Sequence, residues 1–421
     1  MKILWITNTV FPDLTKALGL ETPVVGGWMY GLAKDLSKSD VNLFVATSTI
    51  HLQEYHNKIN GIDYYLLKGS KPNTEYDKAL VTQWERIIDQ INPDLVHIHG
   101  TEGAHGLALV KSHPSLKYVI SIQGMTSIIS RYYTGGIPTN QILLNITFRD
   151  FLRRDSILNA RNKFKNRGHK VEYEYLKRIT NVIGRTQWDH DHVKTINPEC
   201  QYHFCNESLR DVFYNSPKWS IDTKKDHTIF LSQTNYPLKG LHKVLAAVHL
   251  LKNIFPSIKI RIAGNDITRT QSIKDKLRLG GYGKYIKKLI KKYDLMDYIV
   301  FTGPLNAEQM VQEYINCHIF ICPSSIENSP NSLGEAQFLG TPCIASYVGG
   351  VPDMVEHGET GLLYRFEEVE MLAQSIKRLF TNKNLAIKIS LGGIRVAERR
   401  HDRSVNLETI FKIYQNILSN E

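Results

Sequence analysis

The sequence has no unbroken apolar run approaching the about 18 residues that span a bilayer, and its opening Met1-Lys2-Ile3-Leu4-Trp5-Ile6-Thr7-Asn8 is too short for a signal core. Secretion and membrane spanning are therefore not expected, and the cytoplasm is the natural compartment. Cysteine is scarce. Cys200, Cys205, Cys317, Cys322 and Cys343 form an odd set without a C-x-x-C spacing, which argues against a disulfide framework or a zinc ribbon. Cys322 and Cys343 sit in apolar runs that read as buried strands, where a thiol packs as a small hydrophobe. No repeat of about 20 to 50 residues and no low-complexity tract is present, which excludes solenoids and propellers. Acidic side chains are in deficit, 41 against 52 basic ones, and the net charge of +11 predicts an anionic partner: nucleic acid, a lipid surface or a phosphorylated substrate. Nucleic acid is not expected, because neither a recognition motif nor an interleaving of aromatic and basic residues appears.

What is present suits two ordinary domains. The 421 residues are 42% hydrophobic and 22% charged, enough for each half to bury a core. Short apolar runs alternate with helix-length amphipathic stretches throughout. Lys2 to Ile6, Val41 to Thr47, Tyr64 to Leu67, Leu95 to His99 and Tyr118 to Ile122 read as strands of a first doubly wound parallel sheet, with helices near Gly27 to Leu36 and Tyr76 to Gln90. Ile229 to Ser232, Lys259 to Ala263, Ile299 to Thr302, Ile319 to Cys322 and Pro342 to Ala345 repeat the pattern, with helices at Gly240 to Ile254, Asn306 to Asn316, Asn331 to Leu339 and Val369 to Phe380. Two α/β sheets in series imply a cleft between them. Loop chemistry in Cys205 to Lys225 marks the boundary, giving domains 1–205 and 206–400 and a final segment 401–421. Residues 140 to 170 fit poorly and read as a basic helical insertion in the first domain. It is either a solvated helical face or a dock for an anionic membrane or a diphosphate-bearing acceptor. Lys274 to Lys292 is a second basic stretch, read as a surface helix.

The chemistry concentrates in Pro323 to Ala336. A strand ends at Cys322, and Ser329-Pro330 suits an N-cap and first helical position. The amides of Asn331, Ser332 and Leu333 then open a helix whose first turn has no carboxylate of its own, an arrangement suited to phosphate. Glu327 and Glu335 flank that anion site, one placed for sugar hydroxyls and the other for a ribose. The plainer alternative makes Glu335 a dipole complement and Glu327 a solvated residue. Lys239, in the loop after the first strand of the second half, could place an ammonium on a diphosphate leaving group. In the first half, Gly26-Gly27 opens a helix and allows close approach of backbone to a ligand, or merely forms a turn. His99 falls at the carboxyl edge of its strand, expected to face the cleft, with His97 one pleat deeper as a satisfied core histidine; Gln123 ends the next strand beside them. Asp189-x-Asp191 resembles a manganese motif but lies inside a predicted helix, and His97-x-His99 lacks a third ligand, so no metal is expected.

Glu327 and Glu335 form an E-x7-E signature. With Pro323-Ser324, Glu335 to Ser346, Gly349-Gly350-Val351-Pro352-Asp353 and His357 to Leu363 it resembles the retaining glycosyltransferases of family 4 with the GT-B fold. The likeness runs on through Lys239-Gly240, Asp94 to Gly100 and Gly26-Gly27. The resemblance implies two Rossmann-like domains facing across a cleft, the first binding acceptor and the second a nucleotide sugar, with the last helix crossing back to the first domain. It implies that Glu335 holds the ribose, Glu327 the donor sugar, Lys239 the diphosphate, and the amides near Asn331 and Ser332 phosphate, with Gly26-Gly27 against the donor phosphates. Neither metal nor other cofactor is implied, and the leaving phosphate itself helps deprotonate the acceptor in a front-face attack. Two positions depart from the family pattern. Ser232-Gln233-Thr234 stands where many relatives carry an Arg, for which Arg185 is expected to substitute, and Gln123-Gly124 stands where they carry His-Gly. The expected enzyme is a glycosyltransferase moving a sugar, favoured as a UDP-sugar, to a glycan or lipid-linked hydroxyl in surface-polysaccharide synthesis, with a peripheral place on the inner face of the plasma membrane as the expected setting. A nucleotide-sugar epimerase, an inverting transferase and a catalytically silent binding module are the competing readings.

Overall fold

The structure is a computed structural model that describes residues 1–21 and 27–419. The chain divides into two compact units. The first holds Met1–Ile128, Phe164–Arg210 and the chain from His401 on; the second holds Ile129–Lys163 and Asp211–Arg400.

The first unit is built on an eight-stranded sheet of β1 (Lys2–Thr7), β2 (Asn42–Thr49), β3 (Tyr55–Ile59), β4 (Ile62–Lys68), β5 (Leu95–His99), β6 (Tyr118–Ser121), β7 (Asn181–Gly184) and β8 (Gln201–Phe204). The order is β3-β4-β2-β1-β5-β6-β7-β8, parallel except for the β3–β4 hairpin. Parallel strands must be covered on both faces, and these are. On one side Leu4, Ile6, Val96 and Ile120 pack with Trp84, Leu107, Tyr175 and Leu176 of three helices. On the other, Ile3, Trp5, Val45 and Val119 pack with Met29 and Leu36 of the helix Gly27–Leu36 and with Ile413, Tyr414 and Ile417 of the terminal helix Arg403–Ser419. Tyr414 stitches the second layer to the sheet: its hydroxyl accepts from the Trp5 indole at 2.9 Å and lies 2.6 Å from His97 Nδ1.

The second unit carries a six-stranded, wholly parallel sheet of β9 (Thr228–Leu231), β10 (Lys259–Ile262), β11 (Ile299–Phe301), β12 (Ile319–Cys322), β13 (Cys343–Ser346) and β14 (Leu362–Tyr364). Its order, β11-β10-β9-β12-β13-β14, reverses direction at β9 and β12. Such a switch point leaves a crevice beyond the carboxyl ends of those two strands. β9 leads to Lys239 and β12 leads to Glu327, so topology delivers both side chains to one place.

Residues 129–163 depart from expectation. The basic insertion at 140–170 is expected in the first domain, but its residues 140–163, with 129–139 before them, belong to the second unit. The reason is visible in its bonds. His242 Nε2 lies 2.8 Å from the Gly135 carbonyl, the Ser325 hydroxyl donates to the Tyr132 carbonyl at 2.9 Å, and Tyr133 stacks on Tyr236.

Because the Tyr414 hydroxyl serves two buried polar groups, Tyr414→Phe leaves the Trp5 N–H without its acceptor. The expected cost is about 1–3 kcal/mol, read as a lowered midpoint in urea unfolding; an unchanged midpoint would mean the hydroxyl carries no weight.

Candidate active site

In the second unit three loops lock together by backbone contacts that only glycine permits. After β9, Pro237–Lys239 makes a single 3-10 turn ended by Gly240 at φ +70°, and a Cβ there would lie 1.8 Å from the Pro323 carbonyl oxygen. After β13, Gly349 at φ +52° lies so close to the Glu327 carbonyl that a Cβ would come within 1.9 Å, and the Gly350 amide donates to that same carbonyl at 3.0 Å. The Ser325 amide donates to the Leu238 carbonyl at 2.8 Å. Lys239-Gly240 and Gly349-Gly350 are therefore the clamps that bring Lys239 and Glu327 together.

The Lys239 ammonium donates to Glu327 Oε1 at 2.5 Å, and the Ser324 hydroxyl donates to the same oxygen at 2.7 Å. Both side chains are largely buried, 17% and 14% exposed. Burial works against the charge of Lys239, but the pull of Glu327 outweighs it and holds the ammonium above its ordinary range. Lys239 is thus a fixed cation in a poorly solvated crevice.

Beside it the helix Asn331–Phe338 begins with Pro330 as N-cap, no capping side chain and no acid in its first turn. The expected start is displaced by one residue. Ser329 is not the cap: its hydroxyl accepts from Arg400 Nη2 at 3.1 Å and lies 3.7 Å from Met354 Sδ. The expected trio of amides is also reduced, because Leu333 N–H already donates to the Pro330 carbonyl at 3.0 Å in a tightened first turn. Among the described residues the Ser332 amide has no partner, so of the expected trio it is the donor left open. Glu335, one turn in, is 6% exposed and accepts from the Tyr314 hydroxyl at 3.2 Å, which fixes one carboxylate oxygen.

The first unit places its predicted residues differently. Gly26 lies outside the described residues; Gly27 opens its helix against the Arg210 side chain, so close that a Cβ would lie 3.1 Å from Arg210 Cγ. His97 is the satisfied core histidine expected, bonded to Tyr414 and to Ser121 Oγ at 2.6 Å. His99 is a correction: it is 1% exposed, closed over by Trp5 and Trp28, and burial with the adjacent His97 holds its pKa well below the ordinary value. It presents no ring nitrogen to solvent. Arg185 is a second correction. Its guanidinium is buried, paired with Glu207, and Nη2 donates to the Ile122 and Gln123 carbonyls at 3.3 Å, so it is committed to the interior of this unit and not held out for a diphosphate. The half-buried Gln123 side chain reaches Met29 Sδ at 3.9 Å. Asp189 is turned inward, accepting from the Arg185 amide at 3.0 Å and from the Tyr202 hydroxyl, which is a structural role.

Two features of the second unit escaped sequence reasoning. Arg400 brings a guanidinium to Ser329 at the helix start from about 70 residues downstream, a separation no motif encodes. Tyr133, from the insertion, stacks on Tyr236 at 5.9 Å and helps close a cavity of about 260 Å³ lined also by Arg149, Asp155, Asn235 and Tyr282.

Comparison with known proteins agrees with this architecture. Residues 213–393 match the profile of the family Glycosyl transferases group 1, and residues 25–132 match Glycosyl transferase 4-like. The D-inositol 3-phosphate glycosyltransferase of Acidothermus cellulolyticus is 27% identical over 175 residues, 39% of this chain and 38% of that protein. The GDP-mannose-dependent alpha-(1-6)-phosphatidylinositol monomannoside mannosyltransferase of Mycobacterium tuberculosis is 24% identical over 164 residues, 37% of this chain and 39% of that protein. The matched stretches span less than half the length of these relatives. Sucrose-phosphate synthase from Thermosynechococcus elongatus superposes with a TM-score of 0.72 at 16% identity over the whole of both chains. Anabaena Alr3699/HepE in complex with UDP and glucose does so with 0.66 at 14% identity, over 99% of this chain and all of that one. The fold is GT-B, two Rossmann-like α/β domains, and together these matches support a glycosyltransferase.

Gly240→Ala forces a Cβ into the Pro323 carbonyl at positive φ and is expected to cost on the order of 2–4 kcal/mol, measured as a fall in melting temperature; a neutral result would contradict the loop clamp. Burial pushes His242 down to about 4, so it stays neutral in the fold while the unfolded chain takes up a proton below about 6.5. The unfolded state then binds more protons, and stability is lost as pH falls through that window. His242→Gln should remove about 2 kcal/mol of the difference in stability between pH 7 and pH 5, whereas an unaltered pH profile would mean that His242 is not the group responsible.

Proposed function

We propose that the chain is a retaining, metal-independent glycosyltransferase that moves a sugar from a nucleotide diphosphate donor, favoured as a UDP-sugar, to a hydroxyl of a glycan or lipid-linked acceptor. The observation that carries this reading is the Lys239–Glu327 pair held beside an uncapped, acid-free helix start. A diphosphate needs positive charge, N–H donors and little water, and this crevice supplies all three from residues of one unit. Donor binding exchanges partners: phosphate oxygens take the Lys239 ammonium and the Ser332 amide, which releases Glu327 to accept hydrogen bonds from sugar hydroxyls. Glu335, braced by Tyr314, takes the ribose hydroxyls.

The acceptor hydroxyl attacks the anomeric carbon as the bond from that carbon to the diphosphate oxygen breaks. The proton of the hydroxyl passes to the departing diphosphate, whose added charge Lys239 stabilises. Attack on the face the leaving group vacates retains anomeric configuration. Arg400, through its bond to Ser329, is a better candidate than Arg185 for the second positive charge at the diphosphate. Relatives named as a GDP-mannose-dependent mannosyltransferase and a D-inositol 3-phosphate glycosyltransferase, and a neighbour crystallised with UDP and glucose, support this class of donor and acceptor chemistry. Surface-polysaccharide assembly is the setting we infer for the acceptor.

A panel of UDP-, GDP- and dTDP-sugars tested for melting-temperature shift and then for transfer examines this reading. Lys239→Ala should cut kcat/KM by about 10²–10³-fold, activity should survive EDTA, and NMR should report a product with the donor's anomeric configuration. An inverted product, or activity restored only by a divalent ion, would overturn it.

A further inference from the structure

The segment that joins the second unit leaves an unusual surface. Leu143 and Leu144, at the end of the helix Thr139–Leu144, and Phe148, Phe151 and Leu152 of the helix Phe148–Arg153 are each more than half exposed, Phe151 the most at 76%. The helix Ile273–Arg278 packs against Phe148–Arg153 and adds Ile273, 78% exposed, and Leu277. A single exposed leucine means nothing, but seven large apolar side chains on adjoining short helices form a continuous region that water solvates poorly.

The geometry keeps these residues out by design of the backbone. Thr147 and Asp150 form a capping box, with Thr147 N–H donating to Asp150 Oδ2 at 3.0 Å, and Lys284 donates to the Leu144 and Ile146 carbonyls at 3.4 and 3.3 Å. Asn145 and Asp150 are buried, while Leu143, Leu144, Phe148, Phe151 and Leu152 stay out. The charges around it have one sign. Arg153, Arg154, Lys274, Lys276 and Arg278 are exposed, and among the described residues none of them pairs with a carboxylate. The nearby acids are spent: Asp150 is buried in its cap, Asp155 pairs with Arg149 at 3.2 Å, and Asp275 pairs with Arg269 at 3.2 Å.

We propose that this face, made by helices Thr139–Leu144, Phe148–Arg153 and Ile273–Arg278, docks on an anionic lipid bilayer. Phenylalanine and leucine side chains enter the acyl boundary while the five unpaired cations meet acidic headgroups. Neither signal alone holds a protein on a bilayer; together they do. Charge complementarity selects this occupant over a second copy of the chain, because two such faces brought together would oppose five cations to five. The proposal goes beyond the catalytic reading and does not depend on it, since docking needs no donor.

The test is co-sedimentation of the full chain with vesicles of equal parts phosphatidylglycerol and phosphatidylcholine against vesicles of phosphatidylcholine alone. Binding is expected only to the anionic vesicles and should weaken as salt rises. Phe148→Ser/Phe151→Ser/Leu152→Ser and, separately, Arg153→Glu/Arg154→Glu should each reduce it about tenfold or more with melting temperature unchanged. Equal binding to both vesicles, binding that neither variant alters, or no binding together with a concentration-dependent dimer that Phe151→Ser abolishes would each overturn the proposal.

Discussion

The ion pair between Lys239 and Glu327 is the interaction on which the candidate site depends, and it exists because two glycines let three loops touch. Burying opposite charges costs desolvation that the pair's own attraction only partly returns, so nothing about stability alone requires it here. What brings it about is close backbone packing. With Gly240 against the Pro323 carbonyl and Gly349 against the Glu327 carbonyl, the loops lie near enough for Lys239 to reach Glu327. A crevice that holds a cation and an anion ready, at the open end of a parallel sheet, is preorganised for a ligand that carries both phosphate and hydroxyl groups.

The first unit uses its buried polar groups differently. His97, Arg185 and Asp189 are each bonded to neighbours inside the unit: Tyr414 and Ser121, Glu207 and two carbonyls, Tyr202 and a backbone amide. These are bonds that hold elements in register, and removing one partner would strand a buried charge or donor. Polar residues at strand ends are thus not all available for chemistry, even in a fold whose ligands bind at strand ends.

Much of the architecture was legible because parallel strands buried on both faces read as continuous apolar runs, as in Ile229 to Leu231 and Ile319 to Cys322. Of the strands that went unread, Leu362–Tyr364 is buried throughout but only three residues long. Tyr55–Ile59 is the exposed edge of a hairpin, polar and exposed through its middle three residues, though Asn60-Gly61 at φ 52° and 83° is the turn signal that could have revealed it. Lys239, beside Gly240, and the helix after Pro330 were legible from local pattern, and Glu327 from its place in the loop between Cys322 and that helix. Tertiary partners were not: no local pattern says that Glu207 captures Arg185, that Trp5 and Trp28 seal His99, that the Leu333 amide is taken by Pro330, or that residues 129–163 pack with the later unit through Gly135 and His242.

The central claim is that the Lys239–Glu327 pair opens to admit a diphosphate at the start of the helix Asn331–Phe338. A crystal structure of the chain with a bound nucleotide sugar tests it most directly. The account predicts β-phosphate oxygens within hydrogen-bond distance of Lys239 Nζ and the Ser332 amide, with Glu327 turned to the sugar. A bound diphosphate that leaves Lys239 on Glu327 and contacts neither group would contradict it.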